Sequence, residues 1–245
     1  MMLYVILGIG ILFIGIGYMV TEKNAKYVLS GYNTMSKEDQ ALVDLKNYLP
    51  FFRKFHLYLG VSFSMLGAGV HYLYGETYSG VFLGLYPIIA YLFFIWKSQE
   101  YSKAPVRKWE KFAIGLLVLV FIGVGGLFYK GFQELNFSHT DEHIVIDGMY
   151  GETIHKSNIR FISLVDSLPR INNKKNGFSV GDMHKGYYST NEGTKIKLLL
   201  DSNQKPVIFI DLVEGSDVYF SSKTASNQVL YEQLKQTMNS VTFVN

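Results

Sequence analysis

A chain of 245 residues that is 49% hydrophobic and 16% aromatic, with only 18% charged residues, leans toward a membrane protein rather than a soluble one of one or two domains. Its charge is split, with 11 Lys and Arg against 7 Asp and Glu before Tyr129 (+4) and 12 against 13 from there on (−1), and neither half has a nucleic-acid-binding balance. The absence of cysteine excludes disulfides, thiolate nucleophiles and zinc–thiolate sites.

Residues 2–20 are 19 uncharged residues, long enough to cross a hydrocarbon core of about 30 Å. With no basic segment before this run and no small-residue cleavage site after it, it is expected to be a retained span rather than a signal peptide. Its glycines at 8, 10, 15 and 17 suit close helix approach in lipid. Residues 21–54 are polar and carry Lys23, Lys26, Lys37, Lys46, Arg53 and Lys54, which predicts a cytoplasmic loop by the positive-inside bias. Within it, Ser36 and Asp39 form a capping-box pattern that opens a surface amphipathic helix with Ala41, Leu42, Leu45, Tyr48 and Leu49 on one face.

A second span is predicted over 55–74 and a third over 78–96, joined by a tight turn at 75–77 into an antiparallel hairpin. Gly60, Ser64 and Ala68 recur every four residues, and Gly80 and Gly84 form a similar pair. These are either helix-packing stripes or the ordinary small residues of membrane helices. Pro87 predicts a kink. His56 and His71 fall near opposite ends of the second span. His71, among Tyr72, Tyr74 and Tyr78, reads either as an interfacial side chain or as part of a proton relay. Residues 97–111 bring Lys97, Lys103, Arg107, Lys108 and Lys111, a second cytoplasmic loop, before a fourth span over 112–129. The expected topology is N-terminus out, four crossings, and everything after Tyr129 outside the cytoplasmic membrane.

The decapeptide SGYNTMSKED at 30–39, after a first span and before a helical hairpin, resembles the signature of an uncharacterised three-span bacterial membrane family, a domain of unknown function. The resemblance covers about residues 1–97, rests on Gly31, Tyr32, Asn33, Thr34 and Met35, and implies no activity. Physically, Gly31 and Asn33 suit a tight turn and Tyr32 an interfacial ring. The motif is either a structural turn or a ligand-binding loop.

From Glu142 the hydrophobic period becomes two, with Asp147-Gly148 as a hairpin turn and about seven short strands ending near Ser221. Leu230, Leu234, Thr237, Met238 and Val241 then mark one face of a helix. The pattern predicts an α+β small barrel or roll capped by a C-terminal helix. Leu168-Pro169-Arg170, Asn176-Gly177, Gly181, Gly186 and Leu230-Tyr231-x-x-Leu234 resemble a bacterial pleckstrin-homology-like domain over about residues 137–245. Relatives of that kind usually carry arginine before the Asn-Gly step, where this chain has Lys174 and Lys175; lysine does not reproduce a bidentate contact. The expected organisation is therefore a three-span domain at 1–97, a basic loop at 98–111, a fourth helix at 112–129, a linker at 130–136 and the β domain at 137–245.

No nucleotide-binding glycine loop, zinc-protease motif or nucleophile elbow is present, so the chain is expected to be non-enzymatic and to use no cofactor. If residues 139–143 are extended, His139, Asp141 and His143 share one side and offer a metal-like set; the alternative is a solvated linker. Arg170, Lys174, Lys175 and Lys185 read either as a contact for an anionic surface or as a solvated loop. The expected partners are the lipid bilayer and a protein, or a second copy, bound by the β domain. The alternative is a small transport or sensing component whose spans carry the function.

Overall fold

The computed structural model describes residues 1–29, 31–104 and 108–244, the side chains of 108–110 excepted; Ser30, Arg107 and the Lys108 side chain lie outside the described residues. The chain divides into two units, 1–126 and 127–245. Helices α1 (Met2–Met19), α2 (Ala25–Val28), α3 (Lys37–Gln40) and α4 (Leu45–Ser98) belong to the first, and α5 (Lys108–Phe132) runs from the first into the second. Three helical stretches, Met2–Met19, Leu45–Tyr101 and Lys111–Phe132, are long and apolar enough to cross a membrane.

The 54 residues of α4 are folded back at Gly75, which alone inside the helix leaves helical geometry, at φ 81° and ψ −171°. A positive φ is cheap only for a residue without Cβ. Ring pairs bring the two arms together antiparallel: Phe51 stacks on Phe94 at 5.6 Å, Phe63 meets Phe82 at 5.3 Å, and Ser62 Oγ lies 2.7 Å from Tyr86 Oη. At the bend, Ser79 Oγ donates to the Gly75 carbonyl at 2.8 Å. The helix thus turns without the three-residue loop the sequence suggests, and Pro87 leaves its dihedrals helical.

Helix α1 packs on the first arm of α4 through glycines seven residues apart, the spacing that keeps one seam facing a partner. A Cβ on Gly10 would lie 2.9 Å from the Gly60 carbonyl and collide with Ser64 Oγ, and one on Gly17 would lie 2.9 Å from the His56 Cβ. Gly8 and Gly15 have nothing within 4 Å and face outward. Beyond Gly60 and Ser64 the close contact passes to Gly67, against Ile6 and Phe82, while Ala68, Gly80 and Gly84 are half-buried.

The surface amphipathic helix is not formed as a unit. Ser36 caps α3, accepting from Asp39 N at 3.1 Å, but α3 ends at Gln40. Val43 then pairs with Ser102 in an isolated β-bridge, and Asp44 starts α4 as a new cap, accepting from Asn47 N at 3.2 Å. Two N-caps within one polar stretch divide it, and Leu45, Tyr48 and Leu49 become the first turns of α4.

The second unit carries ten strands in two sheets among the described residues. Strands β1 (Asn136–His139), β2 (His143–Asp147) and β3 (Glu152–His155) form an antiparallel meander. The larger sheet has the order β10-β4-β8-β9-β7-β6-β5, built from β4 (Ile159–Val165), β5 (Ile171–Val180), β6 (Met183–Thr190), β7 (Lys195–Leu200), β8 (Val207–Leu212), β9 (Asp217–Ser221) and β10 (Thr242–Val244). It ends in two edge strands, β10 and β5, rather than forming one closed barrel, and β7/β9 and β4/β10 pair in parallel. Helix α6 (Asn227–Thr237) covers β4 and β8. Ile144, Ile146 and Ile154 of the small sheet join Ile162, Ile208, Ile210 and Phe220 of the large one and Tyr231 and Leu234 of α6 in one core.

Residues 170–186, expected as a basic loop, instead form the β5–β6 hairpin. Residues 130–136, expected as a linker, are the end of α5 and a buried entry into β1. Both differences have one cause. Lys185 is fully buried, ion-paired with Asp201 at 2.5 Å, and its ammonium donates to the carbonyls of Gly131 at 3.0 Å and Gln133 at 2.6 Å. Asp201 also accepts from Leu135 N. A lysine at a helix C-terminus satisfies carbonyls with no intrahelical partner and complements the helix dipole. The side chain expected to face an anionic surface therefore caps α5 inside the protein.

Removing one partner leaves a buried uncompensated charge, at a cost of about 3–5 kcal/mol. Asp201→Asn is expected to destabilise the second unit by that order and to accelerate amide exchange in β6 and β7, whereas Lys185→Met with Asp201→Leu recovers most of the loss. For the helical unit, Gly60→Leu is expected to cost about 1–3 kcal/mol by overpacking against the α1 backbone. Gly69→Leu, where nothing lies within 4 Å, is expected to be neutral by thermal unfolding in detergent.

Candidate ligand cavity and charged sites

A concavity of the helical unit lies where the polar segment after α2 folds over the end of α4. After Leu29 the chain turns at Gly31, with φ 90°, into a single 3-10 turn at Tyr32–Thr34. Thr34 Oγ1 donates to the Gly31 carbonyl at 3.0 Å, and Gln40 Nε2 donates to the Tyr32 carbonyl at 3.0 Å. The segment is fastened to the residues after α4 by backbone bonds: Asp44 N donates to the Tyr101 carbonyl at 2.9 Å and Lys103 N to the Leu42 carbonyl at 3.0 Å. Hydrogen bonds from the Asn47 side chain and backbone hold the exposed Asp44 carboxyl below its ordinary pKa.

These bonds border an open-mouthed cavity of about 850 Å³, whose lining includes Tyr32, Tyr48, Tyr91, Phe94 and Tyr101. Four of the five motif residues, Gly31, Tyr32, Thr34 and Met35, line it; Asn33 instead donates from Nδ2 to the Tyr27 carbonyl at 3.4 Å. Its polar lining consists of neutral groups such as Ser98, Gln99 and Ser102, with no formal charge among the described residues. Sequence reasoning singled out the motif but not the cavity, because Val43 and Ser102 meet only in three dimensions.

His56 lies behind this cavity, 2% exposed, with Nδ1 2.8 Å from the Phe52 carbonyl and Nε2 3.2 Å from Tyr91 Oη. A carbonyl only accepts, so Nδ1 carries the proton and Nε2 accepts from the tyrosine. The imidazole is fully engaged as a neutral brace that orients Tyr91 at the cavity wall. His71 has Nδ1 3.3 Å from Ser79 Oγ, beside the Gly75 bend.

In the second unit the residues singled out from the sequence do not assemble. His139 pairs with Ile144 across the β1–β2 hairpin, so His139 and His143 fall on opposite faces, with Asp141 exposed in the turn between them. The extended run that would align the three is replaced by a chain reversal closed by Thr140 N donating to the His143 carbonyl at 2.9 Å. No three His, Cys, Asp or Glu groups lie close enough to hold a metal ion among the described residues. Arg170 precedes β5, and Lys174 and Lys175 are exposed neighbours on this edge strand at a register irregularity, where Lys174 pairs with Tyr188 and Asn176 with Tyr187. Lys185 is buried elsewhere.

Lys197 was not expected to matter. It is 3% exposed, 3.0 Å from Glu152, and its ammonium lies 5.2 Å from the centre of the Tyr187 ring. It lines a smaller cleft of about 280 Å³ with Glu152, Tyr187 and Asn158. The signal available was the unbroken apolar run 198–200, which marks a strand covered on both faces, so that its alternate positions are buried too.

His184 follows the tip of the β5–β6 hairpin, with Nδ1 2.7 Å from Ser179 Oγ. Burial holds its pKa below the ordinary 6.5, opposed by Asp182 and reinforced by Lys174. The unfolded chain therefore binds this proton more tightly than the folded one. The stability of the neutral ring is fully present above about pH 6.5 and is lost as the pH falls through the lowered folded value. Replacing His184 with Gln is expected to flatten the stability of the second unit between about pH 7 and about pH 5, read by amide exchange.

No curated protein and no solved structure is significantly similar to the chain. The Gly10–Gly60 seam, the folded-back α4 and most of the cavity lining, all but Ala104 and Ala113, fall within residues 7–102, and that stretch matches the family model of a domain of unknown function (DUF3784), so the N-terminal helical region carries this domain.

Proposed function

We propose that the chain is a non-enzymatic, multi-pass protein of a bacterial cytoplasmic membrane that presents its β-rich unit as a binding module. In this reading α1, the two arms of α4, and α5 make four crossings. The polar segments carrying Lys23 to Lys54 and Lys97 to Lys111 face the cytoplasm, and the β-rich unit lies outside. A sheet covered by the C-terminal helix α6 supports a pleckstrin-homology-like assignment, and a strand edge supplies the contact with a protein partner or a second copy. The observation that carries the reading is the Lys185–Asp201 lock. It makes the last turn of an apolar helix part of the core of the β unit, which is what an anchored module requires.

The runner-up is a sensing component whose helical unit holds the ligand. The cavity beneath residues 31–44 favours it, because a pure anchor needs no ring-lined cavity of about 850 Å³.

Topology is the first test. Because there is no native cysteine, single cysteines at Lys103 and Asn191, both exposed, report sidedness in intact cells treated with a membrane-impermeant maleimide. Labelling at Asn191 and protection at Lys103 is expected; any other pattern overturns the proposed arrangement and moves the β unit's partners to another compartment.

A further inference from the structure

The cavity of the helical unit combines three properties that together specify a ligand chemistry. First, its wall is apolar and ring-rich, and its volume of about 850 Å³ lies within the range of about 300–1,000 Å³ typical of small-molecule sites. Second, Tyr32, Tyr48 and Tyr101 line it, and their hydroxyls have no hydrogen-bond partner among the described residues, unlike that of Tyr91, which is held by His56. A phenol beside an apolar wall offers one donor to an anionic oxygen without itself carrying charge. Third, the lining is neutral among the described residues, but the segments that form and flank its mouth are basic. Among the described side chains of residues 21–54 and 97–111 there are 9 Lys and Arg against 5 Asp and Glu, a net +4.

A cationic ligand would find ring faces but no counter-charge in the wall among the described residues, and an opposing field around the entrance. A neutral apolar ligand would leave the three hydroxyls unpartnered. An apolar chain with an anionic head satisfies all three properties: the chain fills the ring-lined space, the head meets the phenols, and the surrounding lysines provide the favourable field.

We propose that this cavity binds a single-chain or lipid-borne amphiphile with an anionic head, either a fatty acid or an anionic phospholipid inserting one acyl chain. The ligand would enter where the segment 31–35 crosses the end of α4, so binding draws on the same residues that resemble the family signature. The inference deepens the sensing reading, on which it depends for its purpose though not for the binding itself.

The full-length protein in phosphatidylcholine nanodiscs, doped in one arm with palmitate and in another with phosphatidylglycerol, is released and its retained adducts counted by native mass spectrometry. One retained anionic amphiphile per chain is expected, reduced about tenfold by Ser98→Trp, which fills the cavity, and unchanged by Leu66→Trp on the exposed face of α4. Retention of palmitate alone assigns a free fatty acid, and retention of phosphatidylglycerol alone assigns a bilayer lipid; either supports the proposal. Tyr48→Phe, which keeps the ring, is expected to weaken retention several-fold and serves if Ser98→Trp unfolds. Equal retention of hexadecanol or hexadecyltrimethylammonium, or undiminished retention in both cavity variants, overturns it. Specific retention without any change in amide exchange across residues 127–244 upholds the binding and removes the sensing reading.

Discussion

The fold of the second unit depends on a buried charge. Placing Lys185 and Asp201 out of water is costly, and their attraction offsets that cost only because the remaining donors and acceptors are also used. Here they are: the ammonium reaches two carbonyls at the end of α5, and the carboxylate takes the amide of Leu135, three residues past it. The end of an apolar helix therefore meets, at one point, a strand pair more than 50 residues further along the chain, β6 with Lys185 and the end of β7 with Asp201. Around it Phe178 stands edge-on to Phe132 at 5.7 Å and fills the space left by Gly131, where a Cβ would collide with its ring. The polar lock sets the position and the rings exclude water from it.

The helical unit reaches a similar result by different means. In lipid there is little hydrophobic drive between helices, so approach distance and interhelical polar contacts decide packing. The glycine seam of α1 supplies the first, and the Ser62–Tyr86 and His56–Tyr91 pairs supply the second. By contrast, no residue in the apolar window of α5 is buried in the isolated chain, so much of its surface is left for lipid or for another helix.

Much of this was legible in the sequence where a rule is local. Uncharged runs marked α1, the arms of α4 and α5, and the period-two pattern marked β2 and β7, because both follow from one residue's neighbours along the chain. The hairpin of α4 was legible too, although its turn proved to be a single glycine, Gly75. What could not be read depended on partners distant in sequence. Nothing beside Lys185 distinguishes it from Lys174 or Lys175, since Asp201 and Gly131 identify it only after folding. The broken surface helix is of the same kind, because Val43 leaves the helical path to pair with Ser102. The candidate metal run failed for a local reason that was missed: Thr140 is well placed to close a reverse turn, bonding to His143 through backbone and hydroxyl.

The two parallel strand pairs carry a consequence for biosynthesis. Strand β4 can pair on one side with β8, but its other side is covered only by β10, and the core above it only by Tyr231, Leu234, Met238 and Val241. Likewise β7 accepts β9 from beyond β8. A ribosome adding about 5–20 residues per second leaves these apolar strands incomplete for seconds after they emerge. The β unit therefore consolidates only once its last helix and strand have been delivered, well after the apolar helices before it have had time to enter the bilayer. During that interval the nascent β strands keep apolar surface uncovered, so the order of synthesis delivers the long apolar helices before the β unit can complete its core.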